Sequence, residues 1–216
     1  MTKANISVII PRLPDSKYDA ITERCVNSYK HVGTEIIVIS ENHAFAKNVN
    51  AGLKRANGDF LLVSNNDVIA LPGWYEYVVA DRELGILSLT QRSDCGWGFV
   101  IPRQIYDLVG LLDENLCNSY EDYDYFIRCA LAGYGRVFAP KAYAVHTGGV
   151  TLNDVWGPPE AASKVRLSRS SANQIYMKRK WPGVSIDSVP LKHYAMSEVA
   201  IMQDWKNKNP NVKIAG

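Results

Sequence analysis

The sequence predicts an α/β fold built on one mixed, mostly parallel sheet. Three short apolar runs carry this reading: ISVII at residues 6–10, EIIVIS at 35–40 and FLLVS at 60–64. Two stretches with apolar residues at helical spacing separate them. The order β-α-β-α-β makes neighbouring strands parallel, joined by right-handed crossovers.

ISVII stops at Pro11 and reads as a buried strand. Ile21, Cys25 and Tyr29 stand four apart and mark one face of a helix over residues 20–31. EIIVIS is the second strand. Phe45, Val49 and Leu53 form another helical stripe, closed by the stop signal Asn57-Gly58. FLLVS follows as the third strand.

After Asp67 the pattern changes. Pro72 starts a short helix through Val79, and LGILSL (84–89) and GWGFVI (96–101) read as strands. Pro102 to Gly110 is a short helix with proline first and glycine last. Ser119 is placed to cap a longer helix whose apolar stripe is Tyr123, Phe126, Ile127, Ala130 and Leu131, ended by Gly133. RVFA and AYAVH add short strand-like pieces. Residues 147–159 (TGGVTLNDVWGPP) are a loop by composition, expected to act as a lid. A helix rich in Lys and Arg is predicted from Glu160 to Lys180, and one amphipathic helix near 192–206.

With 216 residues, 47% of them hydrophobic, the chain is long enough for one domain with a substantial core. Lys and Arg number 24 against 22 Asp and Glu, a balance that argues against nonspecific attraction to nucleic acid. Cys25, Cys95, Cys117 and Cys129 make no CxxC pair, so reduced thiols and a cytoplasmic location are expected. No apolar signal segment precedes the first strand, and no run approaches the length of a membrane span.

In open α/β sheets ligands bind beyond the carboxyl ends of the strands. Pro11, Arg12 and Leu13 stand there after the first strand, Glu41 after the second, and Asn65, Asn66 and Asp67 after the third. Lys47 and Asn50 lie on the helix facing the same end. No GxGxxG follows the first strand and GxxxxGK[ST] is absent, so phosphate charge must be met otherwise. A divalent cation on Asp67 would meet it, since a hard cation binds carboxylate and phosphate oxygens together. Read alone, Asn-Asn-Asp is equally a polar turn after a strand.

The stretch AFAKNVNAGLKRANGDFLLVSNNDV resembles the segment leading to the metal motif of family 2-like glycosyltransferases of the GT-A fold. Phe45-Ala46, Asn50-Ala51-Gly52-Leu53, Asn57-Gly58-Asp59-Phe60 and Asn65-Asn66-Asp67 carry the likeness. Ala44 departs from the family's usual glycine, and Leu13 stands near where the family carries an aromatic residue. GLLDENLCNSYEDYDYFIRCALAGYGRVFAPKAYAVHTGG resembles the same family in order and spacing: G-x-x-D-E, then E-D-x-D on a helix, A-G-Y, and a final His before glycines. The resemblance spans roughly residues 6–181.

It implies a GT-A fold with a Rossmann-like nucleotide-binding half at 1–68 and an acceptor half at 69–181, followed by an extension at 182–216 packed on the domain. The chain is compatible with being one domain of a longer protein. The implied reaction is transfer of a hexose or deoxyhexose such as rhamnose from a nucleoside diphosphate, chiefly UDP, to a glycan or glycoconjugate hydroxyl, with inversion. By resemblance Asp67 and His146 hold Mn²⁺ or Mg²⁺, and Asp122 is the base that takes the acceptor proton. Trp97 and Gly98 fall where the family faces the donor sugar. Capping by Ser119 and Asp122, a structural His146, a core Trp97 and a solvated stripe of Lys164, Arg166 and Arg169 are the alternative readings. A retaining enzyme, a nucleotidyltransferase or a non-catalytic sugar-binding domain are the alternative functions.

Overall fold

The computed structural model describes residues 5–41, 44–80, 84–91, 96–147, 171–184, 203–204 and 206–211. In chain order the strands are β1 (Ile6–Pro11), β2 (Thr34–Ile39), β3 (Phe60–Ser64), β4 (Val68–Ala70), β5 (Ile86–Ser88), β6 (Gly98–Pro102), β7 (Arg136–Val137) and β8 (Ala144–His146). The α-helices are α1 (Asp19–Tyr29), α2 (Phe45–Arg55), α3 (Trp74–Val79), α4 (Arg103–Val109) and α5 (Glu121–Leu131). Residues 171–180 are also helical and are called α6.

Six strands form the main sheet in the order β2-β1-β3-β6-β5-β7. β1 pairs in parallel with β2 and β3, and β5 with β7, while β6 runs antiparallel between β3 and β5. Strand periodicity divides the core between the two faces. Ile6, Val8 and Ile10 pack with Cys25 and Tyr29 of α1, whereas Ile9 packs with Val49 and Leu53 of α2. At Gly52 an added Cβ would stand 2.3 Å from Ile9 Cγ2, so glycine lets α2 close onto the sheet.

A third cluster joins α5 to α6 through Ile127, Ala130, Leu131, Met177 and Trp181. Beneath it lies a buried ionic network. Asp124 Oδ2 meets Arg128 Nε at 2.9 Å, both side chains being wholly buried. Asp124 Oδ1 accepts from Trp181 Nε1 at 2.9 Å and meets Lys180 Nζ at 2.8 Å. Arg128 also donates to the carbonyls of Val109 and Leu111. Asp124, an acidic neighbour of the expected base, thus belongs to the scaffold.

The elements expected from sequence are present where the structure describes them, with three differences. β4 is unexpected: three residues are too few for a periodic signal, and β4 pairs with β8 in a separate antiparallel ribbon. Ser119 does not cap α5. Tyr120, at φ 70°, precedes the first helical residue and makes no side-chain cap bond, while Ser119 Oγ accepts from Asn173 Nδ2 of α6 at 2.8 Å. The left-handed turn at Tyr120 shifts the helix start and releases Ser119 to fasten α6. α3 begins at Trp74 because Gly73, at φ 86°, ends the preceding turn. Residues 148–170, with the expected lid and Lys164, Arg166 and Arg169, lie outside the described residues. So does most of the 182–216 extension, although Gln203 Nε2 donates to the Leu131 carbonyl at 2.8 Å.

Arg128→Met should cost about 3–5 kcal/mol, because it removes one partner of a buried pair and leaves two carbonyls unmet. Urea unfolding should show a lower midpoint at an unchanged slope; an unaltered midpoint would contradict a stabilising role for this network.

Candidate active site

The site is assembled where β3 ends. Ser64 Oγ and Tyr29 OH lie 3.1 Å apart, and the Asn65 carbonyl accepts from Cys25 Sγ at 3.4 Å. The Asn65 N–H donates to the Trp97 carbonyl at 2.8 Å. Asn66 is buried and its Nδ2 donates to Thr22 Oγ1 at 3.2 Å. The turn is therefore pinned to α1 on one side and to the start of β6 on the other, and Asp67 leaves it in a defined direction.

β4 then pairs with β8 in the register Val68↔His146, Ile69↔Val145 and Ala70↔Ala144. Thr147 extends the clasp: its N–H and its Oγ1 both donate to the Asp67 carbonyl, at 3.0 and 2.8 Å. The pairing sets His146 beside Asp67, with Nε2 and Oδ1 3.0 Å apart. Both atoms are buried, yet neither has a hydrogen-bond partner among the described residues. The two form a close carboxylate–imidazole pair without hydrogen-bond geometry, which leaves both atoms able to face a shared ion.

A divalent cation fits that arrangement. Adjacent ligands at right angles around an ion with about 2.1 Å bonds stand about 3 Å apart. Carboxylate oxygen with imidazole nitrogen suits Mn²⁺ or Mg²⁺. Among the described residues no third His, Cys, Asp or Glu joins the pair, so Asp67 and His146 are the side chains that could hold an ion there.

Residues 96–97 connect this pair to Asp122. An added Cβ at Gly96 would lie 2.1 Å from Asp122 Oδ2, so only glycine lets the carboxylate occupy its place. The next residue, Trp97, stacks on His146 with ring centroids 5.1 Å apart and planes 13° from parallel. Asp122 Oδ1 accepts from the Tyr123 N–H at 3.0 Å in the first turn of α5. Burial raises its carboxyl above the ordinary range, offset in part by the Tyr123 N–H and by Arg136. Although part of the residue's surface is open, the carboxyl is surrounded closely enough for burial to dominate.

Glu121 is almost fully buried, and its Oε1 has no hydrogen-bond partner among the described residues. Burial, reinforced by the charge of Asp122, pushes it up to about 7. Asp122 and Glu121 are thus adjacent carboxyls in different settings, the usual means of separating proton affinities.

Asp67, His146, Asp122, Trp97 and Gly98 converge on this region. The other expected residues are placed less directly. Pro11 is buried at the end of β1. Arg12 donates to the carbonyls of Leu13 and Asp15 and pairs with Asp19. Leu13 is half-buried, Lys47 is exposed on α2, and exposed Glu41 pairs with Arg55 at 2.6 Å. Asn50 is buried: its amide exchanges bonds with the backbone of Leu112 and donates to Glu114. Asn50 and Asn66 therefore serve the scaffold in this arrangement.

Sequence reasoning missed Gly96, Thr147, Asn48 and Asn118. Asn48 Nδ2 donates to the Arg12 carbonyl, and Asn118 Oδ1 accepts from the Phe45 N–H to cap α2. These contacts stitch the β1 exit and the approach to α5 onto one helix. They link segments far apart in the chain and leave no local spacing signal, although Gly96 beside a strand start could have been examined for close approach.

Residues 15–84 match the family model described as glycosyl transferase family 2. Three solved structures are similar in fold. A Drosophila β-1,4-galactosyltransferase 7 variant, in complex with manganese, UDP-Gal and xylobiose, has a TM-score of 0.54 at 14% identity, over 67% of this chain and 71% of that one. The mannosyltransferase PcManGT from Pyrobaculum calidifontis, in complex with GDP-Man and Mn²⁺, has a TM-score of 0.53 at 13% identity, over 97% of this chain and 82% of that one. S. aureus TarS in complex with UDP has a TM-score of 0.54 at 15% identity, over 90% of this chain and 76% of that one. No curated protein sequence matches the chain. The architecture is that of GT-A proteins. The family match over residues 15–84, together with the shared fold, makes the chain similar to family 2-like glycosyltransferases.

A raised carboxyl makes the native state bind a proton that the unfolded chain has released. Glu121 should therefore favour folding below about pH 4.5 and lose that contribution as the pH rises through about 7. Glu121→Gln should leave stability unchanged near pH 4 and raise it near pH 8. Parallel stability–pH curves for the two proteins would contradict this.

Proposed function

We propose that the chain transfers a sugar, a hexose or deoxyhexose, from a nucleoside diphosphate to a hydroxyl of a glycan or glycoconjugate, with inversion of the anomeric carbon. The observation that carries the proposal is the bridge at residues 96–97. Gly96 packs against the carboxylate of Asp122 and Trp97 against the imidazole of His146, so an expected base and an expected cation pair adjoin one short segment. The manganese, UDP-Gal, GDP-Man and UDP complexes of the similar structures support a nucleoside diphosphate sugar as donor, and we assign UDP.

Asp67 and His146 hold a divalent cation, Mn²⁺ or Mg²⁺, which when bound supplies positive charge against the leaving diphosphate. Asp122 receives the acceptor's hydroxyl proton as the oxygen bonds to the anomeric carbon and the bond to the diphosphate oxygen breaks. A carboxyl raised by burial is a stronger base than one in water, which suits the step. Glu121, protonated below about pH 7, adds no second negative charge beside it. Pro11, Arg12 and Leu13 at the end of β1, with Glu41 and Lys47 near by, form the rim offered to the nucleotide. The bond from Gln203 to the Leu131 carbonyl supports an extension that belongs with the domain, and we assign the protein to the cytoplasm.

Asp67→Ala should abolish Mn²⁺-dependent UDP binding while the protein stays folded, and His146→Ala should weaken it. Calorimetry with and without Mn²⁺ checks both, and unchanged affinity in Asp67→Ala would remove the cation role.

Asp122→Asn keeps the side chain's shape and should lower turnover by about a hundredfold to ten-thousandfold, leaving donor binding intact. Proton NMR of the first-formed product should show the anomer opposite to the donor's. Near-normal turnover in the variant, or a retained anomer, would overturn the base assignment.

A further inference from the structure

We infer that Trp97 positions the imidazole of His146 for the cation, so that the indole is part of the metal centre's support and is not a surface for the donor sugar. The inference rests on the cation reading above and goes beyond it by naming what orients the ligand. A metal-binding histidine is ordinarily fixed through a hydrogen bond from its other ring nitrogen. Among the described residues no hydrogen bond orients the His146 ring, and its buried Nε2 has no hydrogen-bond partner. What the ring does have is Trp97, parallel to within 13° at a centroid distance of 5.1 Å. A flat indole against one face restricts rotation of the imidazole and keeps its nitrogen aimed at Asp67.

The indole is itself held. Its backbone carbonyl receives the Asn65 N–H at 2.8 Å, on the turn that delivers Asp67. Gly98, the next residue, is already in the sheet and paired with Ser64. The ring also packs against the core cluster shared by β1, α1 and α3. The contacts close a circuit. The turn holds the backbone of Trp97, Trp97 holds the ring of His146, and the strand of His146 holds the backbone of Asp67. The indole thus lies parallel to the half-buried imidazole as well as against the core.

Two substitutions separate packing from stacking. Trp97→Phe keeps a flat aromatic face, whereas Trp97→Leu keeps apolar volume without one. Binding of Mn²⁺ to the protein–UDP complex, read from the free-Mn²⁺ signal in electron paramagnetic resonance, should weaken about tenfold or more in Trp97→Leu, the range for loss of a ligand's support. Trp97→Phe should recover most of the affinity. Parent-like Mn²⁺ binding by Trp97→Leu, with weakened binding by His146→Ala, would overturn this inference and leave the cation reading standing. Parent-like binding by His146→Ala would overturn both. Should Trp97→Leu not fold, the metal-free parent decides. His146 ring protons, assigned by their loss in His146→Ala, should be displaced upfield by the indole, and free-imidazole positions would overturn the stacking role.

Discussion

The pairing of β4 with β8 is the constraint on which the site depends. Asp67 and His146 lie in different halves of the chain, and nothing local brings them together. Three residue pairs of antiparallel ladder and the two bonds from Thr147 to the Asp67 carbonyl do so. An isolated two-stranded ribbon is marginal in water. This one persists because Val68 and Ala144 are buried in the same cluster as Val8 and Leu62 of the main sheet. The ribbon borrows its stability from the core and transmits the core's rigidity to Asp67 and His146.

Carboxylates in this protein divide by whether their lone pairs are met. Asp124 is wholly buried and is answered by Arg128, Trp181 and Lys180. Asp113 receives Lys180 and Tyr176, and these bonds outweigh burial to pull its carboxyl down to about 2. By contrast, among the described residues Asp67 Oδ1, though close to His146, and Glu121 Oε1 are buried without a hydrogen-bond partner. An unmet buried oxygen costs about 1–3 kcal/mol, more when charged, so it persists where something else will meet it. The satisfied acids anchor α5 and α6, whereas the unsatisfied oxygens belong to Asp67, paired with His146, and to Glu121, next to Asp122. Left-handed Asn118 and Tyr120, just before Glu121, fall in the same region, as backbone outliers tend to near function.

Much of this was legible in the sequence, because burial on both faces of β1 and β3 leaves continuous apolar runs and α2 leaves a clear stripe. The polar end of β3 stood out for the same reason: three polar residues cannot extend a buried strand. β4 was not legible, being too short to show a period. Nor was the fate of Ser119, since a capping pattern does not reveal a left-handed residue between the cap and the helix. Asn50 resembled a donor contact by its place on α2, but a buried amide takes its partners from whatever backbone lies opposite, here residues 112–114. The stacking of Trp97 on His146 joins two strand ends distant in the chain, and no spacing encodes it.

The central claim is that the ribbon places one cation between Asp67 and His146, beside Asp122. Crystals grown with Mn²⁺ and UDP, measured at the manganese absorption edge, test this most directly. The account predicts a strong anomalous peak within coordination distance of both Asp67 Oδ1 and His146 Nε2, with the diphosphate on its open side. A nucleotide bound with no peak at that position, or a peak bound elsewhere on the chain, would contradict it.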